Sequence, residues 1–178
     1  VNRHKNGALI YEEKTITPIK DDRGDITHFV STAKDITERK RAERQSAGER
    51  RVLELLARGA PLSECLDRLA RECEELCAGM TCSVLLLDAG GRHLRHGAAP
   101  SLPADYIAAI DGIEIGPCVG SCGTAAHTGR TVIVSDIATD PLWADCKELA
   151  LPHGLRACWS VPILAEADRV LGTLALYS

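Results

Sequence analysis

The chain has 178 residues, a net charge of -4 and 45% hydrophobic residues, values typical of a globular protein with a substantial aliphatic core. Its 21 basic residues are interspersed with 25 acidic ones, so the sequence predicts no broad basic face and no direct nucleic-acid partner. No stretch reaches the roughly 18 apolar residues of a membrane span, and we expect no membrane contact in this segment.

The chain contains eight cysteines. Disulfide scaffolds are short secreted chains that lack other core residues, whereas this chain is rich in aliphatic residues and we expect no signal peptide. We therefore predict a cytoplasmic protein with mostly free thiols.

The first elements are a β-hairpin and a charged helix. Residues 9–19 and 26–34 are rich in β-branched and aromatic types and flank the turn cluster KDDRGD, a pattern that predicts a hairpin. Asp35 followed by Glu38 has capping-box spacing, which predicts a helix from about Thr37 to Arg58. Because its first four turns are almost entirely charged, we interpret this helix as a connector.

A second helix is predicted after Pro61. Apolar residues and cysteines recur there at helical spacing and indicate one buried face. Metal binding by Cys73 and Cys77 is the less favoured interpretation, because both lie inside this leucine-rich stripe. The stripe consists of Leu62, Cys65, Leu66, Leu69, Cys73, Leu76 and Cys77.

The second half alternates short strands with short helices. This arrangement, without long regular crossovers, predicts an α+β domain around an antiparallel sheet. The predicted strands are residues 82–88, 93–99, 132–137, 155–164 and 170–178, and the predicted helical regions are 103–110 and 140–151.

The run GPCVGSCGTAAHTGR, residues 116–130, carries two cysteines four apart and a histidine. Its glycines permit tight turns, and a helix starting near Ser121 would direct backbone N–H groups outward, toward an anion or a carbonyl group. The alternative is that Cys122 and its neighbours only pack the helix onto the sheet. A zinc site is disfavoured, because a Cys-x3-Cys pair lacks a second close pair. Its ligands would be Cys118, Cys122, His127 and Cys146.

Two family resemblances organise the chain. Residues 57–178 resemble a GAF domain, most densely from Gly120 to Ile163, which implies an antiparallel sheet flanked by helices. Residues 1–38 resemble the last two strands of a PAS domain, which end in Asp35-Ile36-Thr37. The expected organisation is a PAS fragment over 1–38, a connector helix over 39–58 and a GAF domain over 59–178.

The GAF resemblance implies a non-catalytic sensory module that binds a small molecule and controls an output domain outside this chain. The expected output is a histidine kinase or an enzyme of cyclic-di-GMP synthesis or hydrolysis. The NKFDE motif of cyclic-nucleotide GAF domains is absent, and the sequence predicts neither a particular cofactor nor a metal site. The pocket implied by the resemblance contains Cys118, Ser121, Cys122, His127, Asp136, Trp143, Cys146, Cys158 and Ser160.

An enzymatic alternative stays open at this point. The free methionine-R-sulfoxide reductases are GAF-fold enzymes with a reactive cysteine in a similar Gly-x-Cys-Gly stretch, which here is Cys122 in GSCG. Cys118 and Cys146 would then be the resolving thiols. The hairpin and the connector helix favour the sensor, because an isolated metabolic enzyme needs neither.

The connector helix also predicts a homodimer. Its heptad-like row contains few apolar residues, so a dimer needs support from the helices of the GAF domain. Val52, Leu55, Leu56 and the outward side of the Leu62 helix are the expected contacts.

Overall fold

A computed structural model of the chain describes residues 2–3 and 9–178. They fall into two compact units, Val1–Gly48 and Glu49–Ser178. The first unit contains a short antiparallel pair and a longer antiparallel hairpin. The pair is β1 (Asn2–Arg3) with β2 (Leu9–Ile10), and the hairpin is β3 (Glu12–Lys20) with β4 (Ile26–Asp35).

Local hydrogen bonds define the turn of the hairpin and the start of the connector helix. Asp21 Oδ1 accepts from the backbone N–H groups of Arg23 and Asp25 and thereby closes the predicted turn. Helix α1 runs from Thr37 to Ala57, close to the predicted range. Its start is stabilised by Asp35, whose Oδ1 accepts from the Thr37 N–H at 2.8 Å. Hydrogen bonds from Thr37 lower the pKa of the Asp35 carboxyl.

The second unit is built on a six-stranded sheet. Its strand order is β7-β6-β5-β10-β9-β8, and every neighbouring pair is antiparallel. The strands are β5 (Thr81–Leu87), β6 (His93–Ala98), β7 (Ile113–Glu114), β8 (Val132–Val134), β9 (Cys158–Leu164) and β10 (Val170–Tyr177). The helices are α2 (Leu62–Leu76), α3 (Ala104–Ile110), α4 (Gly120–Thr128) and α5 (Lys147–Ala150), with 3-10 turns at Pro141–Trp143, Leu151–His153 and Glu166–Asp168.

These elements confirm the predicted α+β class and the antiparallel sheet flanked by helices. Some details differ from the prediction, among them the start of β9 at Cys158 instead of residue 155. Strand β7 was not predicted, because its two residues are too few to show alternation. Strand β8 ends at Val134 instead of residue 137, and the Ile137 N–H donates to the Arg156 carbonyl at 2.7 Å.

The sheet separates two hydrophobic cores, because side chains on a strand alternate between its faces. Helix α2 covers one face, where Ala70 contacts a cluster that contains Cys82 and Val84. Helix α4 packs on β8, β9 and β10, and the core that includes Tyr106 and Tyr177 lies on its side of the sheet. The second core holds the candidate site.

The predicted apolar stripe of α2 is only partly buried. Cys65 is buried and Leu66, Leu69, Cys73 and Cys77 are partly buried, but Leu62 and Leu76 are 59% and 46% exposed. These two leucines lie in the first and last turns of the helix. Periodicity assigns a residue to a helix face, but it does not show where along the helix the contact with the sheet ends.

A buried carboxylate joins α2 to the C-terminal part of α1. Glu72 is only 5% exposed, and the Arg51 guanidinium donates to both of its oxygens, at 2.6 and 2.5 Å. Arg68, one turn earlier on α2, also pairs with Glu72. The two guanidinium groups compensate the desolvation of this carboxylate.

We expect Glu72→Gln to make stability less dependent on pH. The hydrogen bond from Arg51 lowers the pKa of Glu72 below 4.5 in the folded state. A lowered folded-state pKa stabilises the protein above the unfolded pKa, and this contribution disappears as pH falls through the folded pKa. The variant should therefore lose about 3 °C in Tm at pH 7 and show a flatter decline in Tm below pH 4.5. Thermal unfolding followed by circular dichroism measures both effects.

The matched control is Glu75→Gln on the same helix. Glu75 is exposed, and its carboxylate lies 3.9 Å from the same Arg51 guanidinium. We expect its Tm to stay within about 1 °C of the wild type, because exposed ion pairs contribute little. Equal losses in the two variants would contradict a special role for the buried carboxylate.

Candidate functional site

The N-terminus of α4 is covered by the chain segment that precedes α5. Gly120, the first residue of α4, has a φ of 55°, and a side chain there would meet the Cys146 sulfur at 3.4 Å. The same β-carbon would lie 3.6 Å from the Trp143 ring. The left-handed backbone favours glycine here, whereas both distances are ordinary van der Waals contacts. The backbone N–H groups expected to point outward lie under a tryptophan and a cysteine.

The covering segment is held by a capped turn and one buried hydrogen bond. Asp140 Oδ1 accepts from the Leu142 N–H at 2.9 Å, and Pro141 occupies the first position of the turn. Trp143 Nε1 donates to Ser121 Oγ at 3.0 Å, and both side chains are buried. This bond ties the indole ring to the first turn of α4.

A small cavity of about 30 Å³ lies beneath Trp143. Ligand pockets usually enclose roughly 300 Å³ or more, so this cavity has room for a water-sized group only. Its walls are mainly aliphatic and aromatic, with two thiols and three hydroxyl groups. They are formed by Leu85, Tyr106, Ile110, Ile113, Val119, Gly120, Ser121, Cys122, Gly123, Trp143, Cys146, Leu149 and Tyr177.

A surface groove of about 360 Å³ adjoins the cavity. Cavity and groove share four lining residues, Ile113, Val119, Cys146 and Leu149. These four side chains form the wall between the two spaces. Displacement of Cys146, on the covering segment, and of Leu149, on α5, would join the groove to the cavity.

Buried polar groups form the floor beneath α4. The Tyr177 hydroxyl on β10 lies 3.2 Å from Ser83 Oγ on β5 and 3.5 Å from the Cys122 sulfur. Tyr106 packs edge-on against Tyr177, with ring centroids 5.9 Å apart. Burial raises the pKa of both tyrosines, so both hydroxyls stay protonated at neutral pH.

Two thiols meet in this floor. A hydrogen bond from the Cys158 thiol lowers the pKa of Cys122 although burial opposes this shift, and the Tyr177 hydroxyl contributes in the same direction as the Cys158 thiol. Burial and the proton shared with Cys122 raise the pKa of Cys158. Two buried hydroxyls near Cys122, Ser160 Oγ and Thr173 Oγ1, also lower the pKa of its thiol.

The structure brings together six of the nine residues predicted for the pocket. Ser121, Cys122, Trp143 and Cys146 line the cavity. Cys158 and Ser160 lie under Cys122, in the floor.

The other three predicted residues lie outside the cavity. Cys118 is exposed and lines the surface groove. His127 is exposed near the C-terminal end of α4, whereas the covering segment lies over the N-terminus of that helix. Asp136 is exposed and caps its own loop by accepting from the Ala138 N–H and the Thr139 hydroxyl.

Sequence reasoning missed Tyr106 and Tyr177 as site residues. Both are almost completely buried and bring hydroxyl groups into the site. The available signal was the low aromatic content of 3%, which makes each buried aromatic residue informative. Strand alternation also places Tyr177 on the same face of β10 as Thr173 and Ala175.

The zinc alternative requires Cys118, Cys122, His127 and Cys146 to converge. Within residues 2–3 and 9–178, no three histidine, cysteine or acidic side chains are grouped as metal ligands. Cys122 is buried, whereas Cys118 and His127 are exposed.

No helix within residues 2–3 and 9–178 is both long and apolar enough to cross a membrane.

Comparison with known proteins identifies the fold. The "Methyl sulfide methyltransferase-associated sensor" of Methanosarcina acetivorans is 40% identical over 173 residues, 97% of this chain but only 17% of that protein's length. The GAF domain of an Acinetobacter phosphoenolpyruvate-protein phosphotransferase superposes with a TM-score of 0.57 at 16% identity, covering 75% of this chain and 76% of that one.

A free methionine-R-sulfoxide reductase from Neisseria meningitidis, in complex with its substrate, superposes with a TM-score of 0.56 at 22% identity. The match covers 78% of this chain and 75% of that enzyme. At these identities the two structural matches establish the fold alone. The GAF domain family model matches residues 61–178. The chain therefore belongs to the GAF domain family.

Proposed function

We propose that this GAF domain binds a small, largely apolar molecule in the cavity beneath Trp143. The observation that carries the proposal is the wall shared by the cavity and the surface groove. A ligand entering from the groove would displace Cys146 and Leu149 and occupy the combined space. Such a site has the usual composition of a ligand pocket, with apolar walls and few polar groups.

The polar groups of the site suggest the chemistry of that ligand. Ser121 Oγ accepts the Trp143 N–H, so it can turn to a ligand when the indole moves. The backbone N–H of Gly120, which now points to the Cys146 sulfur, would become available in the same movement. A molecule with an apolar body and one carbonyl or anionic group fits both features.

The wider organisation is proposed from the sequence and the named relative. Residues 1–38 would be the end of a PAS domain, 39–58 a connector and 59–178 the sensing domain of a cytoplasmic multidomain protein. Apolar residues exposed on the hairpin, among them Ile16 and Phe29, suit strands that belong to a larger sheet. The output would be a histidine kinase or an enzyme of cyclic-di-GMP synthesis or hydrolysis.

We further propose a homodimer through α1 and α2. Leu53 and Leu56 on α1 and Leu62 on α2 are more than half exposed, whereas the predicted contacts Val52 and Leu55 are partly buried. The exposed leucines would be covered in a two-fold dimer. Sedimentation velocity at micromolar concentration distinguishes this dimer from a monomer.

The reductase alternative is supported by the lowered pKa of Cys122 and by the shared fold. Against it, Cys122 is 8% exposed, and burial raises the pKa of Cys146, one of the proposed resolving thiols. A sensor should show no sustained turnover of free methionine sulfoxide with a thiol reductant. Turnover that Cys122→Ser abolishes would replace the sensor with an enzyme.

We expect Val119→Phe to remove ligand binding, because the larger ring fills the wall between groove and cavity. The untagged full chain, purified under non-denaturing conditions, is examined by native mass spectrometry. The wild type should retain a small molecule of constant mass, and Val119→Phe should reduce its occupancy at least about tenfold, which corresponds to about 1.4 kcal/mol.

Val161→Phe is the matched control, since Val161 is 37% exposed and lies on the opposite face of the sheet from Ser160. It should retain the wild-type occupancy. Absence of any adduct from the wild type, or equal occupancy in Val119→Phe, would contradict the proposal.

A further inference from the structure

Three cysteines form a second thiol cluster on the sheet face opposite the cavity. Cys73 lies in the last turn of α2, Cys77 directly follows that helix, and Cys82 lies at the start of β5. All three belong to the core between α2 and the sheet. The Cys73 and Cys82 thiols are hydrogen-bonded to each other, and Cys77 is close enough to Cys82 to interact electrostatically.

The two hydrogen-bonded thiols differ in exposure. Cys82 is completely buried, whereas Cys73 is partly exposed. A reagent dissolved in water therefore reaches Cys73 first. Cys82 is the protected partner behind it.

A neighbouring carboxylate holds β5 against the end of α2. Glu74 Oε1 accepts from the Cys82 N–H at 2.9 Å, and Glu74 Oε2 accepts from the Ser101 hydroxyl at 2.7 Å. Because Glu74 follows Cys73 directly, these bonds hold the start of β5 near the end of α2 that carries Cys73. The thiol contact is therefore part of the packing between α2 and β5.

The hydrogen bond between the two thiols also shifts their pKa values in opposite directions. It lowers the pKa of Cys73 to about 7, although burial and the charges of Glu72 and Glu74 oppose this shift. The same bond raises the pKa of Cys82 far above its usual value. Near neutral pH a large share of Cys73 is thiolate, the nucleophilic form, while Cys82 keeps its proton.

We propose that Cys73 and Cys82 form an oxidisable thiol pair whose substrate is a hydroperoxide. The Cys73 thiolate attacks the peroxide O–O bond, giving Cys73 sulfenic acid and, after proton uptake, water or an alcohol. The Cys82 sulfur then attacks the Cys73 sulfur. This second step forms the disulfide and releases water, which is made from the sulfenic hydroxyl and the Cys82 proton.

Oxidation of this pair would act on the connector. The disulfide covalently joins α2 to β5 next to Glu72, the residue that binds Arg51 of α1. A thiol reductant returns the pair to the reduced state. This inference does not depend on ligand binding in the cavity, because the pair lies in the other core.

The test is peptide mapping of the full chain after treatment with hydrogen peroxide. Free thiols are blocked with N-ethylmaleimide under denaturing conditions, and the chain is cleaved after glutamate without reduction. Cleavage at Glu74 and Glu75 separates Cys73 from Cys77 and Cys82. We expect Cys73 and Cys82 to lose alkylation together, with one disulfide joining their peptides and fragmentation placing the bond at Cys82.

Two variants distinguish this pair from a general loss of thiols. Cys82→Ala should abolish the disulfide and leave Cys73 as a sulfenic acid that dimedone traps. Cys77→Ala, the matched control one helical turn away, should form the disulfide as the wild type does. Wild-type mapping alone overturns the proposal if Cys73 pairs with Cys77, or if both cysteines stay alkylatable at peroxide concentrations that oxidise the exposed Cys118.

Discussion

Gly172→Ala is expected to remove most of the stability of the GAF domain. A β-carbon at this position would lie 2.1 Å from the Leu85 carbonyl oxygen and 3.0 Å from the Leu86 Cα. Both atoms belong to the backbone of β5, and β10 lies between β5 and β9, so neither neighbour can move away without breaking the sheet. We expect a loss of more than about 4 kcal/mol in the free energy of unfolding, out of a total of about 5–15 kcal/mol.

Gly172 lies at an irregularity of the sheet. The register between β10 and β9 shifts between Val170 and Gly172, and a glycine in such a bulge allows the neighbouring backbone to approach closely. Urea unfolding followed by circular dichroism measures the loss.

Gly90→Ala is the control for this prediction. Gly90 lies in the turn between β5 and β6, and a β-carbon there would meet only the Asp88 carboxylate, at 3.5 Å. We expect its free energy of unfolding to change by less than about 1 kcal/mol. Equal stability of the two variants would mean that β5 and β10 do not approach each other as described.

The second large effect is expected from Trp143→Ala. Trp143 is 4% exposed, covers the cavity and donates to Ser121 Oγ. Truncation removes the indole from the core and leaves Ser121 without this donor. We expect a loss of about 3–5 kcal/mol, the usual range for a buried tryptophan. Urea unfolding measures the loss, and tryptophan fluorescence then reports Trp159 alone, since the chain has two tryptophans.

Trp159→Ala provides the matched control, because the same change is made at a tryptophan that is 46% exposed on the opposite sheet face. Its stability should fall by about 1 kcal/mol or less. A larger loss from Trp159→Ala than from Trp143→Ala would contradict the assignment of Trp143 to the covered site.

Local patterns in the sequence determined the elements of this protein. The turn around Gly24, the start of α1 at Thr37 and the Asp140 cap all depend on residues within a few positions of each other, so their physics is contained in short segments. The glycine-rich run correctly located the helix that lines the cavity.

Tertiary structure decided which of these residues meet. Tyr177 reaches Ser83 and Cys122 only because β10 lies beside β5 and beneath α4. His127 and Asp136 belong to the same motif region as Cys122, yet the direction of α4 and the local cap of Asp136 leave both of them exposed. Contacts between residues distant in the chain depend on strand order and on how helices pack across the sheet. The periodicity of one segment predicts neither the strand order nor the helix packing.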